Sequence, residues 1–121
     1  MTKILYVEDH EAQRDIMAQV LELYGYEVDV AYNGREGVKK AREWQPDIVL
    51  MDLRMPGRID GFVAIRRLRN DPETADIPIL VISAWGSSTH KERAMQAGAD
   101  MHLTKPVSVG KLTAAINRHL R

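Results

Sequence analysis

The chain alternates between short apolar runs and segments whose apolar residues recur with a helical period. The runs predict strands at Ile4–Val7, Val28–Ala31, Ile48–Met51, Ile79–Ile82 and, more weakly, Met101–Leu103. The helical segments have apolar positions at Ile16, Val20 and Leu23 with Met17, Leu21 and Tyr24; at Val38, Ala41 and Trp44; at Phe62, Ile65 and Leu68; in the more polar segment Ser88–Ala97; and at Leu112, Ala115, Ile116 and His119. Five βα units with nearly continuous apolar strands predict an α/β fold, a doubly wound five-stranded parallel sheet with helices on both faces.

Turn and cap residues support this division. Asn33 and Glu36 have the spacing of a capping box at the second helix. Gly25 and Gly98 stand where the first and fourth helices should end, and prolines precede the third and fourth strands. Because we find no repeat and no linker, we expect one domain that covers residues 1–121.

Composition and charge exclude several classes of protein. The 17 basic and 17 acidic residues give a net charge of zero, which disfavours nucleic-acid binding by this chain alone. There is no cysteine, so disulfides and thiolate chemistry are excluded. No apolar stretch approaches the roughly 20 residues of a membrane span, and acidic residues follow the start too soon for a signal peptide. We therefore expect a cytoplasmic protein with no membrane contact.

Charged and hydroxyl side chains stand at the carboxyl ends of the predicted strands. Glu8 and Asp9 follow the first strand, Asp52 the third, Ser83 the fourth and Lys105 the fifth. Taken singly, each has an ordinary explanation, such as a helix cap at Asp9. Together they lie at one edge of a parallel sheet, where the sites of such folds form.

Phosphoryl transfer to a carboxylate unites these residues. Clustered acids need a hard cation between them, and Mg²⁺ prefers oxygen ligands. Asp52 ends an apolar strand and would act as the nucleophile that forms an acyl phosphate. Lys105 and Ser83 would contact the phosphoryl oxygens, while the small Ala84 keeps the approach open.

The motifs "VEDH", "DIVLMDLRMPG" followed by "DG", "VISAW" and "GADMHLTKP" occur in this order. In these motifs the chain resembles the receiver domain of two-component response regulators, over essentially all 121 residues. The resemblance implies a flavodoxin-like (βα)5 fold with strand order 2-1-3-4-5. It also implies a signalling switch that takes a phosphoryl group from phosphodonors and loses it again, and that turns over no other substrate.

The resemblance assigns a role to each site residue. It makes Asp52 the phosphoacceptor, and it places Glu8 and Asp9 in an acidic pocket for Mg²⁺, or for Mn²⁺ in its place. The backbone carbonyl of Arg54 is expected as a further metal ligand. Ser83 corresponds to the switch hydroxyl.

The fifth strand carries the remaining assignments. Lys105 corresponds to the lysine that contacts phosphate, and the bond from Lys105 to Pro106 is expected to be cis. The family usually has an aromatic switch residue three positions before this lysine, where this chain has His102. A half-exposed strand histidine is the ordinary interpretation; the sharper hypothesis is a switch side chain with pH-dependent charge.

Two further features depart from or vary within the family pattern. Three residues, Gly57–Ile59, separate Pro56 from Asp60 where the usual pattern has two. Arg54 and Trp85 occupy variable positions that influence how long the phosphoryl group persists, and Trp85 either shields it from water or contacts a partner.

The expected partners are a sensor histidine kinase or a histidine phosphotransfer protein upstream, and a downstream protein or output domain. Phosphorylation would change the face formed by the fourth helix, fifth strand and fifth helix. Lys91, Arg93 and Arg118 lie in these helices and either pair across a homodimer or face solvent. The start "MTKILYVED" favours a stand-alone protein or an N-terminal receiver.

Three other functions are compatible with parts of the sequence. A flavodoxin-like cofactor binder needs a Ser/Thr/Gly-rich phosphate loop, but the first βα turn, "VEDHEA", is acidic. An aspartyl phosphohydrolase needs an acid–base two residues after Asp52, where Arg54 is a poor proton shuttle. A degenerate receiver that acts as an unphosphorylated scaffold is the main alternative, although the intact set of site residues argues against it.

Overall fold

The computed structural model describes residues 1–120, in which strands and helices alternate strictly; Arg121, the last residue of the predicted domain, lies outside the described residues. The strands are β1 Lys3–Val7, β2 Glu27–Ala31, β3 Ile48–Met51, β4 Ile79–Ser83 and β5 Met101–Thr104. The helices are α1 Glu11–Leu23, α2 Gly34–Trp44, α3 Gly61–Asn70, α4 Ser88–Ala97 and α5 Val109–His119. The prediction of five βα units is confirmed. Within the described part of the chain, no helix has the length and apolar character needed to cross a membrane.

All five strands pair in parallel in one sheet, in the order β2-β1-β3-β4-β5. This is the order that the family resemblance implied. β3 and β4 are buried along their whole length, which explains why they are the most continuously apolar segments of the sequence. The edge strands β2 and β5 are mostly half-buried.

Alternate residues of each strand feed two cores, one on each face of the sheet. Leu5, Val49 and Val81 pack with α2, α3 and α4. Tyr6 and Leu50 pack on the other face with α1 and α5. The helices on both faces leave the carboxyl ends of the central strands accessible between them, and the polar residues follow there.

The predicted apolar face of α1 is partly wrong. Ile16, Leu23 and Tyr24 are 63%, 84% and 60% exposed, whereas Leu21 is fully buried and Arg14 is 8% exposed. The helix carries two overlapping stripes of mostly apolar residues. The stripe that contains Arg14 and Leu21 faces the sheet. The other stripe is left in solvent.

Arg69, near the end of α3, ties this helix to the loops before β4 and β5. Its guanidinium donates hydrogen bonds to the backbone carbonyls of Gly98, Ala75 and Ile77, at 2.8, 2.9 and 2.6 Å. It also forms a 2.9 Å ion pair with Asp100. Since the side chain is largely buried, these bonds satisfy groups that water reaches poorly.

Candidate functional site

Backbone hydrogen bonds between neighbouring strands continue beyond the strand ends and hold the first residues of the site in place. The amide of Glu8 donates to the carbonyl of Ala31 at 3.0 Å. The amide of Asp52 donates to the carbonyl of Val7 at 3.1 Å, and the amide of Lys105 donates to the carbonyl of Ser83 at 2.9 Å. The side chains that follow β1, β3 and β5 therefore start from adjacent positions on one edge of the sheet.

These side chains surround one cavity of about 370 Å³, called here the acidic cavity. Its lining residues are Glu8, Asp9, His10, Gln13, Asp52, Arg54, Ala84 and Lys105. Six of the eight were named from the sequence. The convergence expected from the strand ends is therefore observed.

Lys105 is the cation at the centre of the acidic cavity. Its Nζ donates to Oε1 of Glu8 at 2.5 Å, to Oε1 of Gln13 at 2.8 Å and to Oδ2 of Asp52 at 3.2 Å. Burial lowers the pKa of Lys105, but the carboxylates of Glu8 and Asp52 more than offset that effect, so the net shift is upward. Lys105 thus stays charged and compensates the carboxylate at the end of β3.

The carboxylates themselves are held in place by protein donors. Asp52 is 5% exposed, and its Oδ1 accepts the backbone N–H of Arg54 at 3.2 Å. Glu8 is 1% exposed and accepts the hydroxyl of Tyr6 at 3.3 Å. Burial, together with the charges of Glu8 and Asp52, raises the pKa of Tyr6, which keeps this hydroxyl protonated as a donor.

Glu8, Asp9 and Asp52 together fit a hard divalent cation. Each offers a carboxylate oxygen, and these oxygens lie within 4.8 Å of one another. Burial and the neighbouring Glu8 carboxylate raise the pKa of Asp9, as expected for an acid crowded by like charge. Lys105 supplies one positive charge against three negative ones, so the donor set favours a further cation with oxygen ligands.

Three contributions to the site were not found from the sequence. His10, rather than Asp9, caps α1, since its Nδ1 accepts the backbone N–H of Gln13 at 3.3 Å. Gln13 then points its amide oxygen at Lys105, and Tyr6 reaches Glu8 from within β1. The position of Gln13 one turn into α1 was the only available signal, because that turn lies over the strand ends.

Gly61, the first residue of α3, permits a close approach to the site. A Cβ at this position would collide with the backbone carbonyl of Asp52. The amide of Gly61 donates to the carbonyl of Leu53 at 3.0 Å. The "DG" pair noted in the sequence thus lets α3 begin directly against the segment that carries Asp52.

Ser83, Trp85 and His102 form a chain of hydrogen bonds beside the acidic cavity. Ser83 is fully buried, and its Oγ accepts the backbone N–H of Trp85 at 3.1 Å. The carbonyl of Trp85 lies 2.9 Å from Nε2 of His102. Because a carbonyl can only accept, Nε2 carries the proton of the neutral ring.

The environment of His102 disfavours a second proton. Its Nδ1 is buried and has no hydrogen-bond partner among the described residues. Burial lowers the pKa of His102, with smaller contributions from the nearby Lys91 and His90. The ring is therefore neutral near pH 7.

Trp85 packs away from the acidic cavity. Its ring stacks on Phe62, with centroids 6.5 Å apart, and on His90 at 5.0 Å. It is not among the residues that line the acidic cavity. Trp85 therefore links the loop after β4 to α3 and α4.

An apolar groove of about 500 Å³ adjoins the acidic cavity, between α1 and the segment after β5. Its apolar walls include Ile16, Met17, Pro106 and Val107, and the bond from Lys105 to Pro106 is cis. Gln13, Ala84 and Lys105 line both the groove and the acidic cavity. The groove, with the exposed Ile16 of α1 in its wall, thus adjoins the carboxylates.

Comparison with known proteins agrees with this geometry. Residues 4–117 match the sequence profile of the response regulator receiver domain. The chain is 40% identical over 117 residues to Protein PilH of Pseudomonas aeruginosa, covering 97% of this chain and 96% of PilH. It is also 40% identical over 121 residues to the DNA-binding dual master transcriptional regulator RpaA of Synechocystis, covering 100% of this chain but about half of RpaA, 50%.

Solved structures give the same result. The chemotaxis protein CheY4 of Vibrio cholerae superposes with a TM-score of 0.92 at 31% identity, over 99% of both chains. The receiver domain of the sensor histidine kinase PA1611 from Pseudomonas aeruginosa superposes with a TM-score of 0.89 at 30% identity, over 98% of this chain and 95% of that one. That crystal structure has a magnesium ion coordinated in its active site cleft. The chain therefore belongs to the response regulator receiver domain family of two-component signalling.

Proposed function

We propose that this receiver domain is a switch that is activated when Asp52 accepts a phosphoryl group from a phosphohistidine. The donor is a sensor histidine kinase or a histidine phosphotransfer protein. The observation that carries the proposal is the position of the Asp52 carboxylate, which lines the acidic cavity 3.2 Å from the Lys105 ammonium. The carboxylate is thus buried by the fold, charge-compensated and still open to a donor.

The chain's own groups account for most of the transfer step. Lys105 and the N–H of Arg54 orient the Asp52 carboxylate. One carboxylate oxygen forms a bond to phosphorus while the bond from phosphorus to the donor's imidazole nitrogen breaks, and the imidazole leaves with the electron pair. Lys105 then transfers a hydrogen bond from Asp52 to a phosphoryl oxygen, while Ala84, the small exposed neighbour of Ser83, leaves the approach clear.

Mg²⁺ belongs to this proposal as the resident metal, with Mn²⁺ as a substitute. The carboxylates of Glu8, Asp9 and Asp52, together with the backbone carbonyl of Arg54, would hold it. When bound, the metal neutralises charge on the phosphoryl oxygens. The crowding of three carboxylates around one lysine supports this assignment.

Phosphorylation of Asp52 would change the conformation outside the site through Ser83. In the unphosphorylated protein the Ser83 hydroxyl accepts the amide of Trp85, and the Trp85 carbonyl in turn holds His102. A phosphoryl oxygen on Asp52 gives Ser83 a charged partner to which its hydroxyl can donate. Movement of Ser83 toward that partner breaks its bond to Trp85 and releases His102 on β5, which changes the face formed by α4, β5 and α5.

That face is proposed as the output surface. It would bind a downstream protein or an output domain, or pair two copies of the chain through Lys91, Arg93 and Arg118. The guanidinium of Arg93 stacks over the Phe62 ring at 4.0 Å, and Phe62 also stacks with Trp85. Movement of the loop that carries Trp85 would therefore also change the environment of Arg93. Arg54 and Trp85 are proposed to set the lifetime of the acyl phosphate, Arg54 from the cavity wall and Trp85 by holding the loop after β4.

The groove beside α1 is proposed as the docking site of the phosphohistidine protein. The donor histidine must reach Asp52 through the mouth of the acidic cavity, and the groove shares three lining residues with that cavity. Its exposed Ile16 offers an apolar anchor next to the mouth of the acidic cavity. A helical partner that packs its apolar side in the groove against Ile16 places its histidine near Asp52.

The test is phosphorylation by a small acyl-phosphate donor, followed by intact mass. We expect a mass gain of one phosphoryl group that requires Mg²⁺ and is absent in Asp52→Asn. Asp76→Asn is the matched control, because Asp76 is an exposed aspartate outside the acidic cavity. No mass gain from the small donor or from phosphorylated kinase would reject the proposal in favour of an unphosphorylated scaffold.

A further inference from the structure

A second cavity, called here the arginine cavity, lies between the first turn of α2, the loop that joins β3 to α3, and α3. Its volume is about 740 Å³. Arg35 of α2, Arg58 of the loop and Arg67 of α3 line it. It shares no lining residue with the acidic cavity, so the proposed function does not account for it.

The extra residue of the loop after β3 helps to build this cavity. Gly57 has φ +93°, which lets the chain turn there. Ile59 then packs against the hydrophobic core and lies directly on α2. A Cβ at the buried Gly34 would be 2.5 Å from the carbonyl oxygen of Ile59, so this approach requires a glycine at the start of α2. The loop that carries Arg58 is thus anchored on a neighbouring helix.

The arginine cavity concentrates positive charge without an acidic partner. No aspartate or glutamate lines it. Within residues 1–120, none of its three arginines forms a salt bridge. The two carboxylates nearest in sequence are already engaged: Glu36 accepts the amide of Tyr32 and pairs with Lys40, while Asp60 accepts the amide of Val63 and caps α3. All three arginines are exposed, so an incoming anion can reach them.

We propose that the arginine cavity binds the phosphates of a nucleotide that carries at least two phosphate groups. Planar guanidinium groups match phosphate oxygens in pairs, and three of them from three elements suit more than one phosphate. The volume lies within the range of small-molecule sites and exceeds the needs of a single phosphate ion. Pro56 and Ile59 supply an apolar wall against which a base can pack, next to Tyr32, whose ring already stacks with Arg14.

The test measures binding of ADP, inorganic pyrophosphate and adenosine by amide chemical shifts and calorimetry. EDTA is present, so that no divalent cation links phosphate to the acidic cavity. We expect ADP to bind, pyrophosphate to bind more weakly and adenosine not to bind, with the largest shifts at Gly57 and Ile59. Arg58→Ala should weaken ADP binding at least about tenfold, since a hydrogen-bonded charge is lost. The matched control Arg66→Ala removes an exposed arginine of α3 that does not line the cavity, and it should leave binding unchanged.

Several outcomes would overturn the assignment. One is the absence of ADP binding at low salt. Another is an equal loss of binding in Arg58→Ala and Arg66→Ala, which would indicate a diffuse attraction to basic surface. Shifts centred on Asp52 rather than on the loop would place the ligand in the acidic cavity. Binding of an acidic peptide but not of ADP would assign the arginine cavity to a protein partner.

Discussion

Replacement of the phosphoacceptor with its neutral isostere should stabilise the unphosphorylated protein. Asp52→Asn removes one of three carboxylates that lie within 4.8 Å of one another, and it keeps the shape of the side chain. The asparagine oxygen can still accept the N–H of Arg54 and a proton of Lys105, as the carboxylate does. The change is therefore mainly one of charge.

The magnitude follows from the distances in the acidic cavity. Asp52 gains about 5 kcal/mol from Lys105 at 3.2 Å, taking an effective dielectric constant of about 20. Each of the other two carboxylates repels it by about 3.5 kcal/mol at 4.8 Å on the same scale. Solvent screens the share of Asp9, which is exposed. The two repulsions exceed the attraction by about 2 kcal/mol before this screening, so the variant should gain up to about 2 kcal/mol in free energy of unfolding, or about 4 °C in Tm for each kcal/mol.

The assay is urea unfolding in EDTA, followed by circular dichroism and by fluorescence of the two tryptophans. Adding Mg²⁺ should stabilise the wild type and narrow the gap to Asp52→Asn, because the wild type offers a charged ligand that the variant lacks. Asp76→Asn, the exposed control, should differ little from wild type in either condition. A variant that is less stable than wild type in EDTA, or a gap that Mg²⁺ leaves unchanged, would refute the charge-crowding argument.

Three further predictions follow from contacts outside the acidic cavity. Ile16→Glu puts a charge in the proposed docking groove, so a kinetic assay should show phosphorylation by a histidine kinase or phosphotransfer protein slowed about tenfold or more. The rate of phosphorylation by a small acyl phosphate should be unchanged. Unfolding curves from pH 7 to pH 5 should show a smaller loss of stability on acidification for His102→Phe than for wild type. The pKa of His102 is lowered in the folded protein, so its stabilising contribution is present above the unfolded pKa of about 6.5 and is lost as the pH falls below that value. Arg69→Met should cost about 2–4 kcal/mol in free energy of unfolding by urea titration, since three backbone carbonyls and a carboxylate lose their donor.

Each of these predictions has its own control. Leu23→Glu alters a more exposed apolar residue of α1 outside the groove, and equal slowing by both α1 variants would remove the docking argument. An unchanged pH dependence in His102→Phe would show that the histidine ring titrates alike in the folded and unfolded states. Arg66→Met changes an exposed arginine of the same helix, and a comparable cost there would assign the effect to helix propensity rather than to the buried hydrogen bonds.

The strand pattern was enough to predict a parallel α/β sheet and the convergence of the site, whereas the strand order came from the family resemblance. β3 is apolar at every position, and β4 at every position before Ser83, because both faces of the sheet are covered, and this leaves a clear signal in the sequence. In a parallel sheet all carboxyl ends lie at one edge, so the positions of Glu8, Asp52 and Lys105 after their strands place them together. The parallel sheet and the convergence of the site both depend on strand geometry, which the spacing of apolar residues along the sequence reveals directly.

The face of α1 was harder to predict, since Arg14 takes a place in the buried stripe that an apolar residue usually fills. Its guanidinium lies 4.3 Å from the centre of the Tyr32 ring and donates to the carbonyl of Glu8 at 3.4 Å. Burial of an arginine by stacking and by a single backbone contact leaves no mark in hydrophobic periodicity. Hydrophobic periodicity therefore predicts burial of the more apolar stripe of the helix, with Ile16 and Leu23.

The hydrogen-bonded chain from Ser83 to His102 was equally hidden. Two of its links use the backbone of Trp85, which any residue could supply. The Trp85 ring stacks on His90, which is five residues further along the chain, in the first turn of α4, and the loop between them has a conformation that no local pattern determines. The sequence indicated that these residues matter, but their contacts depend on tertiary packing.

The central claim is that the phosphoryl group resides on Asp52, and borohydride reduction tests it most directly, since it converts an aspartyl phosphate to homoserine. Trypsin cleaves after Arg42 and Arg54, and the peptide between them contains two aspartates, Asp47 and Asp52. After phosphorylation by a histidine kinase with Mg²⁺, fragment masses of this peptide should show homoserine at position 52 and aspartate at position 47. Homoserine at any other carboxylate, or an unreduced peptide from protein that carries phosphoryl groups, would contradict the account.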